Sequence, residues 1–199
     1  EAAQIRPWGN SSISKGLAKI HSILAEAGVG PKPIWYTEMG WSIPQAEGGA
    51  FADVKNGSVS PAFHAAYIVR AYAWALRLGV PHAFIMYIKD VDGYNGGFFE
   101  NDKKWRPAAH AVKAMIGLMP HPKLLGAISD CEEGVCIYRF QANAKDPASP
   151  EVIMAWNVEG PKLATIPVGD KPVRLVDMLG HEQMAQPSGG SLTVEIGPF

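Results

Sequence analysis

Apolar residues return along the first 120 positions in two alternating rhythms. Over residues 11–27, Ile13, Leu17, Ile20 and Leu24 recur at helical spacing, and Ser11, Ser12 or Ser14 supplies a cap. Gly28 suits the position just past that helix, while Pro31 and Pro33 prevent its continuation. The short aromatic run 34–37 then predicts a buried strand that stops at Glu38. A long loop rich in Gly and Pro covers 39–59, and loops of that length often carry function. Ser60-Pro61 opens a second helix, with Phe63, Tyr67, Ala71, Trp74 and Leu78 as its stripe and Gly79 at its close. Another apolar strand is expected over 83–88, followed by a polar loop over 89–95. Pro107 starts a third helix that buries Ala111, Met115 and Met119 and ends at Pro120. Helix, strand, helix, strand, helix is the order of parallel βα units.

After about residue 121 the pattern shortens. Strand-like runs at 124–129, 135–141, 151–157, 163–168, 173–178 and 191–196 are separated by Gly, Pro, Asp and Asn. Partial alternation in 135–140 and 192–196 predicts half-buried antiparallel strands. Two domains are therefore expected: an α/β part over 1–120 and a small all-β sandwich over 121–199.

Composition removes several classes of function. Hydrophobic residues at 47% and charged residues at 19% describe an ordinary globular chain. A formal charge of −1 gives no basic field for nucleic acid and no polybasic patch for a membrane surface. Arg70, Arg77, His82 and Lys89 interrupt the longest apolar stretches, so no membrane span is expected. Glu1 is followed by no apolar signal segment, which implies an export signal either lacking or already removed. The six histidines are scattered without ligand spacing: no metal and no cofactor are expected. Of these, His64 and His110 read as helix residues that are either packed or solvated. Cys131 and Cys136 bracket Glu132-Glu133-Gly134, a tight hairpin that fits either a disulfide or two half-buried thiols. A disulfide would place the protein in an oxidising compartment, secreted or periplasmic.

Candidate chemistry gathers at the end of the first strand. A buried parallel strand that ends in a carboxylate delivers an acid to the rim of a barrel, and Gly40 and Trp41 follow at once. A flat indole beside a carboxylate suits stacking on a sugar. Tyr36, two residues earlier, should project to the same side as Glu38 and donate a hydrogen bond to it, with Tyr87 as the alternative donor. Asp90 and Asp92 either grip sugar hydroxyls or cap the turn before Gly93.

These residues bring a known family into view. Trp35-Tyr36-Thr37-Glu38-Met39-Gly40-Trp41-Ser42 resembles strand seven of clan A glycoside hydrolases, which are (β/α)8 barrels. Gly79-Val80-Pro81 through Tyr87, then Asp90 to Gly93, resembles their eighth helix–strand passage. Gly96-Gly97-Phe98-Phe99 with Trp105-Arg106-Pro107-Ala108 resembles the stretch that closes the barrel. The β region is similar to the C-terminal sandwich of glycoside hydrolase family 39, the β-xylosidase and α-L-iduronidase types. The resemblance implies retaining hydrolysis of a glycoside, oligosaccharide or polysaccharide, with Glu38 as nucleophile and a second Glu as general acid ~5–5.5 Å away. In the family that acid follows an Asn at the end of strand four, and this sequence contains no Asn-Glu dipeptide. Where relatives place a strand-eight tryptophan, this chain has Met86 before Tyr87, so Tyr87 or Trp41 would have to stand in as the sugar platform.

A whole barrel takes ~250 residues, so the chain would begin near the sixth helix and leave roughly five and a half βα units outside it. An N-terminal barrel half, on the same or a separate chain, is the expected partner. The rival expectation is a non-catalytic carbohydrate-binding or structural subunit built on a partial barrel.

Overall fold

The computed structural model describes residues 12–43, 59–91, 95–100 and 103–198. Its first half runs α1 (Ser12–Glu26), β1 (Trp35–Met39), α2 (Pro61–Arg77), β2 (His82–Ile85) and α3 (Pro107–Leu118). β1 and β2 pair in parallel, as the βα order predicts. Two boundaries differ from expectation. Glu38 lies within β1 rather than past its end, and β2 stops at Ile85, short of Ile88.

Helix α2 organises the molecule. Pro61 sets its first turn, and the Ser60 hydroxyl accepts the Phe63 N–H at 3.3 Å from an extended backbone. Its sequence is small or apolar on almost every side, so it is buried far beyond the expected stripe, with His64, Ala65, Ala66, Ile68, Arg70, Ala73 and Ala75 also inside. Ala75 and Val80 pack with Leu17 of α1 against Ile34, Tyr36 and Ala83 of the parallel sheet. Ala65 and Ile68 pack against Ala108 and Ala111 of α3. Ala71, Ala73 and Trp74 meet Tyr138, Phe140 and Trp156 from the second half of the chain.

That half begins with an antiparallel sheet in the order β3 (Lys123–Glu132), β4 (Val135–Gln141) and β5 (Glu151–Asn157). β6 (Lys162–Pro167) will pair with β9 (Ser191–Ile196), and between them β7 (Val173–Val176) pairs with β8 (Glu182–Ala185). β8 has no counterpart in the sequence reading, because Glu182, Gln183 and Met184 are all exposed and show no alternation. β4 divides the core by its period of two. Cys136, Tyr138 and Phe140 turn towards α2, whereas Ile137 turns towards Ala164, Ile166 and Ile196 of the β6–β9 pair. Helices and two stacked sheets thus form successive layers.

The α/β and β parts share one apolar cluster across residues 120/121, where the sequence predicts a domain boundary. Polar contacts cross the same junction. Arg77 of α2 donates Nε–H to Asp130 at 3.2 Å, Tyr138 donates its hydroxyl to Asp130 at 2.7 Å, and the buried Arg70 donates to the Pro198 carbonyl. Cys131 and Cys136 are joined as a disulfide within the β3–β4 hairpin, which selects the first of the two readings of that pair.

The fold is mixed α/β with parallel and antiparallel sheets. Among the described residues no closed barrel forms, and the outer edges of β1 and β2 have no strand partner. No described helix is long and apolar enough to cross a membrane.

Candidate functional site

The two faces of the parallel sheet differ sharply. Ile34, Tyr36, Ala83 and Ile85 pack on the helices. Trp35, His82 and Phe84 occupy the opposite face, with ring centroids 4.4 Å apart for Trp35–His82 and 6.3 Å for Trp35–Phe84. Trp35 is 52% exposed and Phe84 48% exposed. The sequence predicts a strand buried on both faces, and only one of them is covered here.

A bulge sets the aim of Glu38. Register runs Tyr36↔Ala83 and then Met39↔Ile85, three steps along β1 against two along β2. Strict alternation would leave Tyr36 and Glu38 on the helix-facing side together. The extra residue lets Met39 return to that side, packed on the α2 cluster, and leaves Glu38 exposed. The expected Tyr36–Glu38 hydrogen bond is therefore not made. Tyr36 points among Leu17, Ala75 and Val80, its hydroxyl is buried without a partner, and that burial pushes its pKa up.

Tyr87 stands at the same end of the sheet, just beyond β2. It is 46% exposed and its φ is 65°, the left-handed region that a bulky side chain seldom occupies. Trp41 is half-buried and packs edge-on against Tyr67 of α2, ring centroids 5.4 Å apart, which gives it a core role beside any contact with sugar.

Asp90 lies inside the protein. Expected to grip sugar hydroxyls or cap a turn, it is only 7% exposed and its carboxylate is committed to protein donors. Arg106 holds it with both terminal nitrogens, Nη2–Oδ2 at 2.6 Å, and the Gly97 N–H reaches Oδ1 at 3.1 Å. Burial alone would raise its pKa, but the hydrogen bonds from Arg106 and Gly97, with the Arg106 charge, outweigh burial and hold it below the usual carboxylate range. Fully buried His64 of α2 lies near this pair, its pKa lowered to about 4 by burial first and the Arg106 charge second. Asp92 lies outside the described residues, as does most of the expected 39–59 loop.

The structure thus brings Glu38 and Tyr87 to one end of the sheet and turns Tyr36 and Asp90 inward. Arg106, Gly97 and His64 were not singled out from sequence as a unit. Nothing local links Asp90 to an arginine sixteen residues on, since the pairing exists only once the β2–α3 loop has closed. Among the described residues no three His, Cys, Asp or Glu side chains gather as a metal site would need.

Compared by sequence, the chain matches no family model and no curated protein. Compared by structure, it is similar to a family 39 glycoside hydrolase from the gut symbiont Bacteroides cellulosilyticus WH2, with a TM-score of 0.65 and 17% sequence identity. The match covers 90% of this chain but 36% of that one, so the fold seen here corresponds to part of that larger protein.

Proposed function

We propose that this chain is the C-terminal portion of a retaining glycoside hydrolase in which Glu38 is the nucleophile. One observation carries the reading. Glu38 stands exposed at the C-terminal end of a parallel strand, the end where barrel enzymes place their chemistry, in a fold similar to part of a family 39 glycoside hydrolase. The uncovered face of Trp35, His82 and Phe84 and the unpaired outer edges of β1 and β2 support the rest: they are what a barrel cut between its βα units would expose.

In the reaction, a Glu38 oxygen attacks the anomeric carbon while the bond to the leaving oxygen breaks. A carboxylic acid on the N-terminal βα units protonates that oxygen. Water then attacks the glycosyl-enzyme, giving its proton to the same carboxylate and freeing Glu38. The carboxylates described near the sheet end supply no second acid, because Asp90 is held by Arg106 and Gly97.

The test joins this chain to its N-terminal βα units and assays 4-nitrophenyl β-D-xyloside and 4-methylumbelliferyl α-L-iduronide, the two activities of the resembled family. Expected are no turnover by the 199-residue chain alone, turnover by the joined protein, and its loss by at least ~10³-fold in Glu38→Gln. Azide should rescue Glu38→Gly as a glycosyl azide, and a 2-fluoro glycoside should add its mass to the peptide that holds residue 38. Turnover that survives Glu38→Gln would sink the assignment. Sugar affinity without turnover in the joined protein would favour the binding-module reading.

A further inference from the structure

We infer that Asp90 and Arg106 form a positioning device that holds Tyr87, in its left-handed conformation, as an aromatic wall of the sugar pocket; the wall role rests on the glycosidase reading above. The argument is one of constraint on both sides of a single residue. Just before Tyr87, the Met86 N–H is bound to the Met39 carbonyl at 2.7 Å, which ties this point to the end of β1 next to Glu38. Just after it, the Ile88 carbonyl accepts the N–H groups of Phe98 and Phe99 at 2.7 and 3.1 Å, and the Asp90 N–H reaches the Phe99 carbonyl at 3.3 Å. The returning segment is itself pinned. Arg106 grips the Asp90 carboxylate with both terminal nitrogens, donates to the Gly97 carbonyl at 3.1 Å, and gives its backbone N–H to Phe98 at 3.0 Å. Gly97 lies so close to the Lys89 backbone that a Cβ there would sit 2.4 Å from the Lys89 carbonyl carbon. Tyr87 is thus a one-residue kink between two fixed points. A bulky residue keeps such a conformation only when its surroundings over-determine it, and conformations of this kind concentrate at functional sites. The exposed ring of Tyr87 at the sheet end that carries Glu38 is what the device presents.

The device can be read in a four-member cycle: the natural chain, Arg106→Lys, Tyr87→Gly and the double variant. Arg106→Lys keeps the charge and loses the two-pronged grip. In the 199-residue chain, Tyr87→Gly relieves the left-handed conformation and should raise Tm by about 2–4 °C. In the Arg106→Lys background that gain should vanish, because the released loop lets residue 87 relax. In the joined protein, Arg106→Lys should raise KM for 4-nitrophenyl β-D-xyloside or 4-methylumbelliferyl α-L-iduronide about tenfold, the worth of one ring contact, with kcat little changed. It should raise KM no further once Tyr87→Gly is in place. Additive effects in either readout would reduce Arg106 to a merely structural residue and overturn the inference. If no joined protein turns over, the glycosidase reading fails and takes the wall role with it, while the Tm cycle, which needs no sugar, still tests the hold on Tyr87. Should Arg106→Lys fail to fold, Asp90→Asn, which keeps the shape of the side chain, takes its place in the same cycle with the same expectations.

Discussion

His64 carries no charge at neutral pH, and its burial fixes how the protein should respond to acid. Its folded-state pKa of about 4 lies below the ordinary value of 6.5, so the unfolded chain takes up a proton that the folded one refuses. Stability from this group is complete above about pH 6.5 and declines as the pH falls towards 4, by up to ~3 kcal/mol. The charged groups that face it are Arg106, which opposes protonation, and Asp90, which favours it. Urea midpoints at pH 7 and pH 4.5 should show most of that loss in the natural chain and a smaller one in His64→Leu. Equal losses in the two proteins would mean that another group titrates. Glu38, unlike His64, lies at the surface. Being exposed, its replacement by Gln should move stability by less than ~0.5 kcal/mol, so any effect on turnover is chemical.

At the scale of elements, caps and prolines wrote their own boundaries. Ser60 and Pro61 predict the start of α2 to the residue, and Pro107 predicts that of α3, because a cap acts through neighbours within one turn. Ser60→Ala should therefore cost about 1 kcal/mol in a denaturant titration, with no change in m-value. A change in m-value would point instead to a loss of compactness. The bulge in β1 was not legible in the same way. Whether Glu38 follows Tyr36 to the helix side depends on Met39 finding the α2 cluster, a contact made with a different element. β8 was illegible for the opposite reason: its exposed residues carry no face to bury, and only pairing with β7 makes it a strand.

Across the whole molecule, the expected division at 120/121 coincides with a change of architecture, yet the core runs through it. Trp74 and Met119 on one side pack with Tyr138, Phe140 and Trp156 on the other, and Arg70 and Arg77 bind across the junction. A chain that starts at residue 121 would expose the face of β4 that carries Cys136, Tyr138 and Phe140. Such a piece should lack a cooperative thermal transition and bind a hydrophobic dye, whereas the whole chain should unfold in a single calorimetric step. Two well-separated transitions in the whole chain would contradict a shared core.

By itself the sequence determined the kind and order of most elements, the parallel pairing of the first two strands and the position of Glu38 near a strand end, because periodicity, caps and breakers act over a few residues. Only the tertiary structure decided which face of β1 is covered, that Tyr36 turns away from Glu38, and that Asp90 pairs with Arg106. Those outcomes depend on which distant side chain arrives to fill a face or neutralise a charge, and no local pattern encodes an arrival.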